Sequence, residues 1–247
     1  MKLALISDLH ANRQALTAVL EHAAARGVQQ HALLGDYLGY GGDPAWVLDR
    51  VMELVEEGAV AVMGNHDSAV ARGALPGMRE EAREVAEWTR SQLQPYQLAF
   101  VKQLPMTVER GEMLFVHANA YDPASYEYIQ GRLEAIRSMH ATKARYTFCG
   151  HMHEPMLFHL SGTGKAGEFT PQAGVEIPLL TNRQWLAIPG SCGQPRDGNP
   201  AACYAIFDSE QSVLSFQRVP YDADAAAASV RAAGLPARLA DRLLVGE

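Results

Sequence analysis

Lys2–His10 reads KLALISDLH, an apolar run, Leu3–Ile6, cut off by a polar turn that holds Asp8 and His10. A run so short and so abruptly ended reads as a strand buried on both faces. The pattern recurs along the chain. His31–Leu34 (HALL) runs into Gly35-Asp36, and Ala59–Met63 (AVAVM) into Gly64-Asn65-His66-Asp67. Met113–Val116 (MLFV) runs into His117, and Tyr146–Cys149 (YTFC) into Gly150-His151-Met152-His153. Trp185–Ile188 (WLAI) is a sixth such run.

Helical patterns lie between them. Asn12–Arg26 sets Leu16, Val19, Leu20 and Ala23 on one face, with Gly27 to end it. Asp43-Pro44 is a helix start, and Trp46, Val47, Val51, Leu54 and Val55 share a face up to Gly58. Met78–Leu93 and Tyr126–Met139 also read as helices. Strands alternating with helices imply βαβ units. After His153 the character shifts: Cys203–Phe207 and Val213–Val219 read as antiparallel strands, and Ser161–Val175 as an exposed loop or hairpin. Asp222–Leu244 reads as Ala-rich helix broken near Gly234-Leu235-Pro236. With no repeat and no long linker, one α/β domain is expected over residues 1–247, richer in β in its second half.

Composition narrows the partners. Of the 247 residues 48% are apolar and 20% charged, a globular balance that excludes disorder. A net charge of -7 gives no field to attract long nucleic acid or an anionic membrane. Nothing approaches the roughly 20 apolar residues of a membrane span, and no signal peptide is evident. Cys149, Cys192 and Cys203 form no disulfide framework, which predicts reduced thiols and a cytoplasmic location.

The strand ends carry the chemistry. In an open α/β sheet, ligands bind beyond the carboxyl ends of the strands, so Asp8, His10, Asp36, Asn65, His117, His151 and His153 are expected to converge on one edge. Carboxylates, imidazoles and an amide oxygen make a mixed site suited to Mn, Fe, Zn, Ni or Co rather than to an all-oxygen Mg or Ca cage. Seven such groups are too many for one catalytic metal and suit two. A carboxylate shared between metals about 3.5–4 Å apart would trap a water, activate it as hydroxide at neutral pH, and leave both cations to clamp a phosphate.

Taken in this order, the blocks resemble the calcineurin-like metallophosphoesterase superfamily. Its signature of D-x-H, G-D-x-x-G, G-N-H-[DE], H and G-H-x-H stands here as Asp8-Leu9-His10, Gly35-Asp36-Tyr37-Leu38-Gly39, Gly64-Asn65-His66-Asp67, His117 and Gly150-His151-Met152-His153. More narrowly, the chain is similar to a bacterial branch with a D-x-H-x-N start and a late block, here Pro189-Gly190-Ser191-Cys192-Gly193-Gln194-Pro195-Arg196-Asp197-Gly198. The resemblance implies a four-layer αββα sandwich with two packed mixed sheets. It implies Asp8, His10, Asp36 and His153 around one metal, Asp36, Asn65, His117 and His151 around the other, with Asp36 bridging. It also implies that His66 is the proton donor to the leaving group and that Asp67 orients it. An alkoxide leaving group needs such a donor. Ala11 stands where the family usually has Gly, Met152 where Thr is common, and Asn119-Ala120-Tyr121 where a Ser-Pro-Arg stretch is frequent.

The expected activity is therefore hydrolysis of a phosphate mono- or diester, with Mn the favoured metal. The candidate substrates are a small phosphate ester, a nucleotide or a phosphoprotein. The alternative is a catalytically silent scaffold on the same fold, against which the full ligand set and His66 speak. Four further residues are candidates near the substrate. Arg196 either contacts phosphate or forms a structural turn. Asn12 either caps the first helix or braces the site. Tyr40 and Tyr121, with Tyr37, lie in loops after ligand residues and can stack an aryl group or base.

Overall fold

The computed structural model describes residues 1–73 and 80–247. The opening run is strand β1 (Lys2–Ile6), followed by α1 (Arg13–Ala25) and the parallel strand β2 (Gln30–Leu33). Asn12 Oδ1 accepts the Ala15 amide at 3.0 Å, so this residue does cap α1. Then come α2 (Pro44–Glu56), β3 (Val60–Ala61), α3 (Asn65–Arg72), α4 (Glu80–Ser91) and α5 (Pro95–Gln103). The middle of the chain gives β4 (Thr107–Arg110), β5 (Met113–Val116), α6 (Arg132–His140) and β6 (Tyr146–Phe148). The rest gives β7 (Pro155–Ser161), β8 (Ala166–Phe169), β9 (Glu176–Pro178), β10 (Arg183–Pro189), β11 (Ala202–Asp208), β12 (Val213–Val219), α7 (Ala223–Ala232) and α8 (Ala237–Val245).

The strands form two six-stranded mixed sheets, ordered β3-β2-β1-β11-β12-β9 and β4-β5-β6-β10-β7-β8. Their facing surfaces share one core in which Leu5, Phe207 and Phe216 meet Phe115, Phe148 and Trp185. On the outer face of the first sheet, Ile6 and Leu33 pack with Leu16 and Val19 of α1 and Val47 and Val51 of α2. Ala135 and Met139 of α6 cover Phe158, Leu186 and Ile188 on the second. This is the expected αββα sandwich. α7 and α8 pack on each other through Val230, Leu239 and Leu243, and Gly234 ends the first of them with φ +73. Among the described residues no helix is long and apolar enough to cross a membrane.

Two expectations change, and a third falls partly outside the described residues. Tyr126–Met139 is helical only from Arg132, because Asn119 organises the preceding loop: its side chain donates to Glu127 O (3.1 Å) and accepts from Asp122 N (2.8 Å). Met78 and Arg79, the start of the helix read over Met78–Leu93, lie outside the described residues. Asp43 stands at the N-cap of α2, but its carboxylate accepts the Ser229 hydroxyl at 2.7 Å instead of a helix amide, tying α7 to the α2 start.

Candidate metal centre

The carboxyl ends of β1, β2 and β3 in one sheet, and of β5 and β6 in the other, deliver their ligand-type residues to a common edge. Backbone bonds register these turns: Asp8 N donates to Gly35 O (3.0 Å), His10 N to Asp36 O (2.9 Å) and Gly150 N to His117 O (2.8 Å). Asp8 joins the two sheets, since its Oδ2 accepts the His151 amide at 3.0 Å. The chain turns sharply to do this. Asp8, His10, Asp36, His151 and His153 all have left-handed backbone, with φ between +46 and +69. Each such non-glycine residue costs on the order of 1 kcal/mol, and strain of this kind gathers at functional sites. Ala11 shares it at φ +50, which explains why glycine suits that position in the family. Two glycines are required by close approach. A Cβ on Gly64 would lie 2.1 Å from Asp36 Oδ1, and one on Gly150 1.7 Å from Ser7 Oγ.

The geometry resolves into overlapping groups. Asp8, His10 and His153 form one, and Asp36, His117 and His151 another, with all ligand atoms in each within 4.8 Å of one another. Asp36 Oδ2 lies 3.9 Å from His10 Nε2 and 3.3 Å from His117 Nε2, so a single oxygen faces both groups. Asn65 Oδ1 joins the second at 3.1 Å from His117 Nε2. All the imidazoles and both carboxylates are buried.

The imidazole tautomers show what the cluster lacks. Each of four rings gives one nitrogen to a backbone carbonyl: His10 Nδ1 to Leu38 O (3.0 Å), His117 Nδ1 to Leu34 O (2.7 Å), His153 Nδ1 to Gln194 O (2.6 Å), and His151 to Tyr126 O. A carbonyl only accepts, so in the neutral rings the remaining nitrogens are lone pairs. Those lone pairs converge. His10 Nε2 stands 3.1 Å from His153 Nε2, and His117 Nε2 3.2 Å from His151 Nδ1, with carboxylate oxygens beside them. Acceptors so packed repel one another unless a cation lies between them. Spacings of 3.1–3.4 Å match the edges of a polyhedron with metal–ligand bonds of about 2.1 Å. The donor set therefore fits divalent metal ions.

Electrostatics agree. Burial holds His10 and His153 well below the usual histidine range and brings His151 down to about 3, so all three present lone pairs. His117 is the exception. Burial pulls it down, but the Asp36 carboxylate and the bond to it, with Asp8, lift it to about 9. Without metal, a proton on His117 relieves the crowding around Asp36.

His66 is placed differently. Its amide donates to Asp36 Oδ1 (2.8 Å), and its ring meets His10 edge-on at 5.1 Å, within ligand reach of His10 and Asp36. Among the described residues its ring makes no hydrogen bond to a carbonyl, which sets it apart from the four rings clamped as ligands. Asp67 does not do what was expected of it. Both its oxygens are taken by backbone amides: Asp36 N (2.8 Å) and Gly64 N (3.0 Å) on Oδ2, Tyr37 N (3.0 Å) and Leu38 N (3.2 Å) on Oδ1. It cradles the Asp36 loop, and no bond joins it to His66. Burial, and the nearby Asp36 charge, push its carboxyl up to about 7 against the pull of these amides.

The remaining candidates divide. Tyr40 lies over the site, 4.7 Å from the His10 ring and 4.4 Å from the His66 ring. Arg196 lies beside it, with Cζ 5.8 Å from the Tyr40 centroid. Asn12 also braces the late block, donating to Gly193 O at 2.8 Å. Tyr37 is structural, its hydroxyl donating to Val62 O, with Leu33 O also in reach, and accepting from Val62 N. Tyr121 stacks on Arg137 and donates to Glu127, making no contact with the cluster. The aromatics that do reach it from that loop are Tyr126, edge-on to His117 at 6.0 Å, and Tyr128, stacked on His151 at 4.0 Å. Reading residues 126–139 as one helix hid them; the Asn119-x-x-Asp122 turn was the available signal. The three cysteines are free and buried, and burial pushes their thiols up, so none is a nucleophile.

The comparisons agree with the geometry. Residues 1–212 match the calcineurin-like phosphoesterase superfamily domain. The chain is 31% identical over 250 residues to an uncharacterised protein of Methanocaldococcus jannaschii, covering 99% of this chain and 98% of that one. It is 34% identical to a metallophosphoesterase from Sphaerobacter thermophilus, with a TM-score of 0.87 over 100% of this chain and 99% of that one. A hypothetical protein from Pyrococcus horikoshii shares the fold at 17% identity, with a TM-score of 0.79 and coverage of 100% and 98%. The chain belongs to the calcineurin-like phosphoesterase superfamily.

Proposed function

We propose that this protein is a two-metal phosphoesterase that hydrolyses phosphate mono- or diesters, acting on a small phosphate ester, a nucleotide or a phosphoprotein. The observation that carries the proposal is the convergence of clamped imidazole lone pairs on Asp8 and Asp36, a set that only cations satisfy. Asp8, His10, Asp36 and His153 would hold one ion, and Asp36, Asn65, His117 and His151 the other, with Asp36 belonging to both sets. Nitrogen and oxygen donors in this mixture favour a transition metal, Mn first among Mn, Fe, Zn, Ni and Co. When bound, such ions bring the pKa of a shared water near 7 and offset charge on phosphoryl oxygens.

The chain's own residues do the rest. The Leu34, Leu38, Gln194 and Tyr126 carbonyls fix the ligand rings, so the cage is formed before substrate arrives. Asp67 fixes the loop that presents Asp36. His66, unclamped and beside Tyr40, gives a proton from its ring to the departing oxygen. A cytoplasmic location fits the buried free thiols.

A metal-supplemented turnover screen tests the proposal. Metal-stripped protein is reloaded with Mn and offered an aryl phosphodiester and an aryl phosphomonoester. Turnover that chelation abolishes is expected, with two metals per chain by elemental analysis. No turnover with any of Mn, Fe, Ni, Co or Zn would overturn it.

A further inference from the structure

Arg196 is a cation without a counter-ion at the edge of the cluster. Among the described residues no carboxylate lies within ion-pair distance of it, and its neighbour Asp197 is engaged by Arg218. One nitrogen is held: Nη2 donates to Gln194 Oε1 at 2.9 Å. Nε is buried with no partner, and the Tyr40 hydroxyl stands within hydrogen-bonding reach of the guanidinium. A guanidinium with a buried, unpaired Nε and no carboxylate partner among the described residues, in a chain with 28 acidic residues against 21 basic ones, can receive an anion.

Its supports are rigid and lead to the cluster. Gln194 is 1% exposed; its carbonyl accepts His153 Nδ1 at 2.6 Å and its amide donates to Ser191 Oγ at 2.8 Å. Ser191 Oγ in turn donates to Asp8 O at 2.8 Å. Because Arg196 only donates, the Gln194 amide must turn its oxygen toward it, which fixes the fork relative to a ligand histidine. Tyr40 supplies the second wall, its ring 5.8 Å from the guanidinium carbon. Tyr40 has φ +65, a backbone state that favours glycine, between Gly39 and Gly41. Tyrosine holds that strained position with its ring over His10 and His66. The charge of Arg196 is felt by His10, His66 and His153, which it helps to hold down.

Charge balance then separates the ester classes. Two divalent cations in this site would bring four charges, of which Asp8 and Asp36 would offset two. Arg196 raises the remaining surplus from two to three. A phosphodiester brings one negative charge, whereas a phosphomonoester or a terminal phosphate brings two. The dianion would then offset more of that surplus than the diester, which would leave the larger positive excess.

We infer that Arg196 binds the oxygens of a dianionic phosphoryl group, positioned by Gln194 and Tyr40, and that the site favours phosphomonoesters and terminal phosphates over diesters. This rests on the two-metal reading of the same site.

The test compares Arg196→Gln, Arg196→Lys, Tyr40→Phe and Tyr40→Leu with the parent in Mn-loaded protein. One charged hydrogen bond is worth about 1.5–3 kcal/mol, or about 10–150-fold. For Arg196→Gln, kcat/KM for an aryl phosphomonoester is expected to fall at least tenfold further than for the matched diester. The dissociation constant for inorganic phosphate, by calorimetry, should rise about tenfold or more while both metals stay bound. Arg196→Lys should fall between, keeping charge without the fork, and Tyr40→Phe should recover the phosphate affinity that Tyr40→Leu loses. Equal losses on both esters, unchanged phosphate affinity, or loss of metal from Arg196→Lys would overturn the inference. Should the parent turn over neither ester, the two-metal reading fails, while phosphate calorimetry still judges Arg196.

Discussion

Asp67→Asn separates two roles for one residue. The sequence resemblance made Asp67 the orienter of His66; the structure makes it the acceptor for four amides of the loops that carry Asp36 and His66. The substitution keeps size and leaves one oxygen. That oxygen can serve two of the four amides, either Asp36 N and Gly64 N or Tyr37 N and Leu38 N. The other pair then faces an NH2 group, donor against donor. Each buried donor left unmet costs about 1–3 kcal/mol, so the expected loss is roughly 2–6 kcal/mol. Set against a total stability of about 5–15 kcal/mol, that is a large fraction. It also falls on Asp36, whose oxygen faces both ligand groups.

Urea melts of metal-stripped and Mn-loaded protein, with metal counted by elemental analysis, give the answer. The expected result is a drop of at least about 2 kcal/mol in the stripped protein, from the two amides left without an acceptor, and metal content below two per chain. A variant that melts within about 1 kcal/mol of the parent, the net worth of one ordinary hydrogen bond, keeps both metals and is merely slow would refute this account and restore Asp67 as the orienter of His66.

Asp36→Asn should lose metal and activity together, since one oxygen serves both groups; elemental analysis showing two tightly held metals would contradict that. His66→Ala should keep both metals and slow turnover by about 10²–10⁴-fold, most for esters with poor leaving groups; loss of a metal instead would make His66 a ligand. His117 gives a pH signature. Its raised value, about 9, stabilises the stripped protein fully below the ordinary 6.5, and that contribution fades as pH rises through 9. Metal must displace the same proton, so chelator competition should show affinity climbing with pH over that window; a flat profile would exclude the His117–Asp36 pairing.

Much of the fold was legible because it rests on local patterns. KLALIS, HALL and MLFV are short apolar runs that read as doubly covered strands, though length alone leaves helix pieces open, and each falls in a strand. The α7–α8 break fell at Gly234, where φ is +73. The loop over residues 119–131 was not legible. Tyr126 and Tyr128 read as helix by spacing, but two side-chain bonds from Asn119 and a left-handed Tyr126 (φ +53) override propensity there. Asp67 was misread for a related reason. A carboxylate next to a histidine in sequence suggests a pair, yet α3 begins at Asn65, so the two side chains leave the first turn in different directions and Asp67 turns back to the amides.

The ligand residues themselves show why such a site is easier to find in a sequence than to derive from it. Propensity argues against what they do: five of them sit in left-handed backbone, their imidazole lone pairs face one another, and Asp8 and Asp36 are buried with no lysine or arginine partner among the described residues. Each choice alone is unfavourable. Bound cations would remove the lone-pair repulsion and the buried charge together, so this edge of the fold is built to receive metal. It follows that the stripped protein should be weakest here, and that hydrogen exchange at the Asp8, Asp36 and His151 amides should slow on Mn loading more than at β11 or β12. Uniform slowing across the sheets would mean that the cage is already stable without its ions.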